Sequence, residues 1–242
     1  MVFSSLLFLF FFLPLVLLGH TLLPPKWRNG FLLAVSILFY GLGDARYLPL
    51  FLGMCVLNWG CGLLIGRAAG RRRKAVMAAG VCANVLCLIS FKYLKLLMPW
   101  LGHRPALPLG ISFFTFQSIS YLVDVYRGEV QAERSLRDYG AYILLFPQLI
   151  AGPIVRYKEV GHALHSREVL AGQLEDGMVT FLEGLAAKVL LANQMGALQQ
   201  ALLAVPQRGM LAQWFILIAC GMQYYFDFWG YSLMAQDRKS VV

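Results

Sequence analysis

The chain alternates long apolar runs with short polar breaks. A helix needs about 20 predominantly apolar residues to cross a bilayer, and the runs predict spanning helices near residues 3–23, 30–42, 47–66, 75–100, 107–126, 177–203 and 211–228. The breaks carry prolines, glycines and charges: Pro24, Pro25, Lys26 and Arg28, then Gly43, Asp44 and Arg46, then the basic stretch from Arg67 to Lys74, then Gly102, Arg104 and Pro105. Residues 139–150 are too short to cross, and Pro147, Gly152 and Pro153 interrupt the helix there, so this part reads as a re-entrant or broken helix. The stretch Phe146-Pro-Gln-Leu-Ile-Ala-Gly-Pro-Ile-Val-Arg-Tyr157 is apolar yet cannot stay helical. Backbone broken at membrane depth persists only where protein or a watery cavity takes up its polar groups, so this stretch is expected to line something. The expected fold is all-α: a polytopic transmembrane bundle of about seven spans plus one broken element. A single membrane domain covers residues 1–235, with 236–242 as a tail outside it.

Composition agrees with that pattern. Of 242 residues, 59% are hydrophobic and 14% charged, against about a quarter charged in soluble domains; mean hydropathy is +0.65. The net charge of +9 does not imply nucleic-acid binding, because the basic residues sit at the ends of apolar runs, where they set orientation. The basic stretch Arg67 to Lys74 is expected on the cytoplasmic side. Counting spans places Lys26 and Arg28, Arg127, Arg134 and Arg137, and Arg156, Lys158 and Arg167 on that same side, with the N-terminus outside. Lys92 and Lys95 run against the rule, near the outer end of the fourth span, and are expected to snorkel. The cysteines (55, 61, 82, 87 and 220) form no Cys-x-x-Cys pair and read as buried small hydrophobes. The first run has no basic leader and is long enough to remain as a span.

Polar residues recur inside the apolar helices on single faces. Gln117, Ser120, Tyr121 and Asp124 share one face of the fifth span, and Gln223, Asp227 and Tyr231 one face of the seventh. An intramembrane Asp costs about 2.5–3.5 kcal/mol on insertion scales, so the two stripes point either to a shared wet interior or to hydrogen bonds between helices. The candidate channel residues are therefore Gln117, Asp124, Pro147, Gln148, Pro153, Gln223, Asp227 and Tyr231. Glu183 and Lys188, five apart, lie about 140° apart on a helix and are expected to face different neighbours. His162 and His165 are three apart but lack a third ligand, so no metal site is assigned. No G-x-S-x-G, phosphate-binding Gly-rich loop or H-E-x-x-H occurs.

Three blocks carry a family resemblance: Met1-Val-Phe-Ser-Ser5 with its Phe/Leu-rich run, Leu107 through Arg127, and Phe146 through Arg156. They resemble the membrane-bound O-acyltransferase family, most closely its bacterial alginate O-acetylation branch, with the D-alanyl transfer branch of teichoic acid synthesis a cousin. The resemblance implies a helical funnel in the bacterial inner membrane. It would pass an acyl group from a cytoplasmic thioester donor, such as acetyl-CoA, to a hydroxyl of an exported polysaccharide, with no bound cofactor. Outer-side acetylation proteins would complete the transfer. The family's catalytic histidine lies downstream of a Tyr-Phe-Asp-Phe-Ser-Gly-Tyr-Ser-Asp-Met-Ala block, which here reads Tyr225 to Ala235 with Trp229 and Leu233 in place of Ser and Asp. No residue of this chain takes the catalytic role, and the expectation is a fragment of the funnel that is inactive alone. Two other classes fit parts of the pattern. A transporter would show paired interrupted helices, and one clear break is present; a non-catalytic scaffold would recruit the outer partners.

Overall fold

The computed structural model describes residues 5–93, 107–147, 155–165, 171–206 and 209–236, and all regular structure among them is helical. They form two compact units, one from residues 7–147 and 155–165, the other from 171–236. The first contains α1 (Phe8–Leu22, opening with a π turn at Phe8–Phe12), α2 (Pro25–Asp44), α3 (Leu48–Arg67), α4 (Gly70–Lys92), α5 (Ile111–Arg127), α6 (Leu136–Ile143) and α7 (Tyr157–His165). The second contains α8 (Ala171–Ala186), a π turn at Ala187–Ala192, α9 (Asn193–Leu203) and α10 (Met210–Gln236).

The boundaries follow local chemistry. Pro25 starts α2 at a position where no backbone donor is needed. A single 3-10 turn, Ala45–Tyr47, separates α2 from α3 at the polar break. Gly128 ends α5 with φ +78°, its N–H reaching Val125 O and the next N–H reaching Asp124 O; a side chain there would strain the backbone. Ser135 caps α6 by accepting from the Asp138 N–H. The fourth span departs from expectation at its start. Of the basic stretch, Arg67 closes α3 and Arg71 to Lys74 lie inside the first turns of α4, because Arg and Lys are good helix formers and the chain breaks between them, at extended Ala68 and Ala69. The described helix runs to Lys92, and residues 94–106 lie outside the described residues. Lys92 is thus in the last turn, its ammonium over the Tyr93 ring. Lys95 lies outside the described residues.

Small residues bring α3 and α4 onto α5. A Cβ on Gly62 would meet the Tyr121 hydroxyl at 2.7 Å, and one on Gly80 would meet a Leu122 methyl at 2.8 Å. Asn58 and Asn84, both fully buried, exchange side-chain hydrogen bonds between α3 and α4. Aromatic rings fill the interior: Phe51 against Phe114 and Tyr40, then Tyr121, Tyr139, Tyr142 and Tyr157 in successive contact. Among the described residues two helices are long and apolar enough to cross a membrane, Pro25–Arg67 with its 3-10 break and Gly70–Lys92.

The second unit is an antiparallel hairpin. Gly184 lies against Gly230, Lys188 against Asp227 and Gly196 against Gln223. The sixth apolar run becomes one continuous helical stretch interrupted only by the π turn, and the seventh extends to Gln236.

Candidate functional site

In the first unit the site is built on α5. Its polar stripe faces inward as the periodicity predicts: Gln117, Tyr121 and Asp124 are buried and Ser120 is half-buried. Gln117 is hydrogen-bonded to the Tyr142 phenol. Asp124 is fully buried, and among the described residues neither carboxylate oxygen has a hydrogen-bond partner; its ionic neighbour is Arg156, whose Nη2 lies 3.7 Å from Oδ1.

Residues 148–154 lie outside the described residues, and the chain on either side of them is tied down. Before residue 148, the Phe146 N–H donates to Ser36 Oγ at 3.2 Å, and its ring packs among Phe8, Phe12 and Phe39. Phe146 opens a helical stretch after Leu145, and this side-chain acceptor takes up one of the backbone donors that a helix start leaves without an intrahelical partner. Pro147 is half-buried beside it. From Val155 onward, three consecutive residues are each held by a different element. Val155 O accepts from the Tyr142 hydroxyl of α6 at 2.9 Å. Arg156 faces Asp124 of α5. The Tyr157 hydroxyl donates to Glu133 Oε2 of the connector. Glu133 is itself buried, accepts from the Ser135 N–H at 2.9 Å, and donates its own N–H to Tyr121 Oη at 3.0 Å. Burial, reinforced by the bond to Glu133, pushes the Tyr157 phenol far above its ordinary pKa. Gln148 and Pro153 lie outside the described residues.

The basic clusters converge on one end of this unit. Arg73 of α4 donates to Val125 O and stacks over Tyr126. Arg137 donates to Lys26 O at the start of α2. Lys158 donates to Glu129 at 3.0 Å, and Arg127 is 3.8 Å from the same carboxylate. The Lys158 hydrogen bond and the surrounding cations hold Glu129 below its ordinary pKa. Asp138 is pushed up by burial, but side-chain hydrogen bonds from Asn29, Ser135 and Arg137 outweigh this and leave it lowered.

In the second unit the predicted stripe of Gln223, Asp227 and Tyr231 faces α8–α9. Lys188 donates to Asp227 and lies 4.7 Å from the centre of the Tyr231 ring. Lys188 and Glu183 do face different ways, as their spacing required, and Glu183 is exposed. His162 and His165 fall in α7, and among the described residues no cluster of His, Cys, Asp or Glu is arranged to hold a metal. Sequence reasoning missed Glu133, which lies in a connector that reads as ordinary polar chain, as the partner of Tyr157, and it missed Lys188 as the partner of Asp227. The signal available for that pair was two opposite charges inside apolar runs.

Relatives carry this arrangement toward a chemistry. The chain is 38% identical to the probable alginate O-acetylase AlgI of Pseudomonas aeruginosa, over 97% of its own length and 48% of that protein. It is 29% identical to the peptidoglycan O-acetyltransferase of Helicobacter pylori, over 97% of the chain and 53% of the relative. It is 26% identical to the teichoic acid D-alanyltransferase of Bacillus subtilis, over 94% of the chain and 62% of the relative. No family model matches the chain. The chain spans about half the length of the first of these relatives. Its inward polar stripe and the tethered residues from Val155 to Tyr157 lie within a segment similar, over nearly all of its length, to proteins named for moving acetyl or D-alanyl groups. This chain is thus a homologue of the alginate O-acetylases and, more distantly, of the peptidoglycan O-acetyl- and teichoic acid D-alanyltransferases.

Proposed function

We propose that the chain forms part of a multi-pass inner-membrane O-acyltransferase that serves O-acetylation of an exported polysaccharide of the alginate type. The similarity over 97% of the chain to the Pseudomonas aeruginosa acetylase is the observation that carries this reading. About seven spans and the broken element make a funnel wall, with the N-terminus outside. The end where Lys26, Arg73, Arg127 and Arg156 gather then faces the cytoplasm, following the positive-inside rule. The donor is an acyl thioester such as acetyl-CoA on that side, and the acceptor is a sugar hydroxyl reached through outer-side acetylation proteins. Gln117, Asp124, Pro147, Gln148 and Pro153 belong to the wall of the acyl path, as do Gln223, Asp227 and Tyr231. The residues of this chain position and shield; none is assigned the base that activates the acceptor hydroxyl, and transfer by this chain alone is not expected.

Segment replacement tests this. In an alginate-producing Pseudomonas aeruginosa strain, the stretch of its own acetylase that matches this chain is exchanged for residues 5–235. Acetyl esters on the secreted polymer at near-parental level support the reading. A chimera present in the membrane at parental abundance, with polymer devoid of acetyl esters, overturns it.

A further inference from the structure

Arg156 is the strongest unassigned feature of the first unit. Among the described residues its guanidinium makes no hydrogen bond, and 40% of its side chain is exposed. Five N–H donors in a rigid plane are therefore uncommitted. Free surface arginines are common, but this one is not free to wander. The residue before it is fixed through Val155 O to Tyr142, and the residue after it through the Tyr157 hydroxyl to Glu133. Behind it stands Asp124, fully buried and without any hydrogen bond to its carboxylate among the described residues. A buried carboxylate at 3.7 Å orients a guanidinium electrostatically without consuming its donors.

The surroundings select the ligand. Glu129 lies within the electrostatic reach of Arg156, yet its carboxylate goes to Lys158 and faces Arg127. A single carboxylate thus leaves Arg156 unengaged. A phosphate group carries more charge and more acceptor oxygens, and it matches the guanidinium fork bidentately. Fixing the backbone on both sides removes ordering cost that a mobile arginine would otherwise incur on binding. We propose that Arg156 is an oxyanion-binding residue for a phosphate-bearing ligand, presented outward by Asp124 and by the flanking Tyr142 and Glu133 tethers. The site stands independently of any acyl-transfer step.

Arginine-selective labelling tests it on the full chain, purified and reconstituted in nanodiscs. Phenylglyoxal modification of Arg156 and Arg127 is followed by mass spectrometry in zwitterionic phosphatidylcholine discs, with and without inorganic pyrophosphate, and in discs containing phosphatidylglycerol. The expected result is slowing of Arg156 by pyrophosphate with Arg127 unaffected. Slowing by phosphatidylglycerol instead would identify a lipid headgroup as the source of the phosphate. Tyr157→Phe removes one tether and leaves the fold's apolar contacts; it should raise the pyrophosphate concentration for half-protection by about tenfold. No protection of Arg156 in any disc, or equal slowing of Arg127, overturns the site. Unchanged protection in Tyr157→Phe overturns the role of the tethers. Because no acetyl transfer is read, these outcomes are separate from the success or failure of the segment exchange.

Discussion

Lys188 donates to the carboxylate of Asp227 from within a π turn, joining α10 to the helix that runs antiparallel to it. The π turn inserts one extra residue into the helical register, which changes the face presented by the residues after it. The Lys188 side chain is 9% exposed and that of Asp227 32%, so the ammonium is the more deeply committed partner. Tyr231 adds its ring over the same ammonium.

Asp227→Ala should therefore cost about 2 kcal/mol, below the roughly 3–5 of a fully buried pair because the carboxylate is a third exposed. The double variant Lys188→Met, Asp227→Leu should recover most of that loss, since no buried charge is left alone. Thermal unfolding of the detergent-purified variants reads both effects. Equal loss in the single and double variants would mean that packing, not charge, holds the hairpin.

The same pair shows what a sequence discloses. Gln223, Asp227 and Tyr231 were legible because polar residues at helical spacing stand out against an apolar background. The partner was not, because periodicity identifies a face and never says which helix covers it. The stripe on α5 was legible for the same reason, yet the depth of Asp124 was not: near the end of an apolar run it reads as interfacial, and it is fully buried, with Arg156 beside it from some thirty positions later. Glu133 gave no signal at all, since a connector glutamate looks the same whether solvated or buried under a tyrosine.

Close approach in the second unit gives a sharper contrast. A Cβ on Gly184 would sit 2.6 Å from Gly230 O, and one on Gly230 would sit 2.7 Å from Gly184 O. Both obstacles are backbone, so the helices must separate. Gly230→Ala should destabilise the unit by about 1–3 kcal/mol. Gly221, on the same helix, has nothing within 4 Å of its added Cβ, and Gly221→Ala should stabilise by up to about 1 kcal/mol through helix propensity. Matched melting curves of the two variants decide between them, and a shift of the same sign in both would contradict the close contact.

Asn58 and Asn84 satisfy each other and also donate to Met54 O and Gly80 O one turn back. Asn58→Leu leaves a buried amide half-satisfied and should cost about 1–2 kcal/mol. Asn58→Leu combined with Asn84→Leu removes both polar groups, so the double variant should be the more stable of the two. A double-mutant cycle on chemical unfolding in mixed micelles measures the coupling, and a coupling of zero would leave the two amides as independent residues.

Asp138 gives the first unit an acid-sensitive tie. Asn29 Nδ2 donates to it at 2.7 Å and to Leu164 O at 3.0 Å, so one amide joins α2, α6 and α7 through this carboxylate. The folded-state pKa is lowered below the unfolded value of about 3.9. Between the two values the unfolded chain binds more protons, so stability rises with pH. The contribution is complete above the unfolded pKa and is lost as pH falls through the folded one. Asp138→Asn should therefore lower stability at about pH 6 and leave it nearly unchanged at the acid end, flattening the acid limb of the stability curve. Asn29→Ala should flatten the same limb partially, because Arg137 still donates to the carboxylate and the Ser135 side chain still favours its charged form. Unfolding midpoints from about pH 2 to pH 6 on the three proteins read this directly, and parallel curves for wild type and Asp138→Asn would show that the carboxylate contributes nothing linked to its charge.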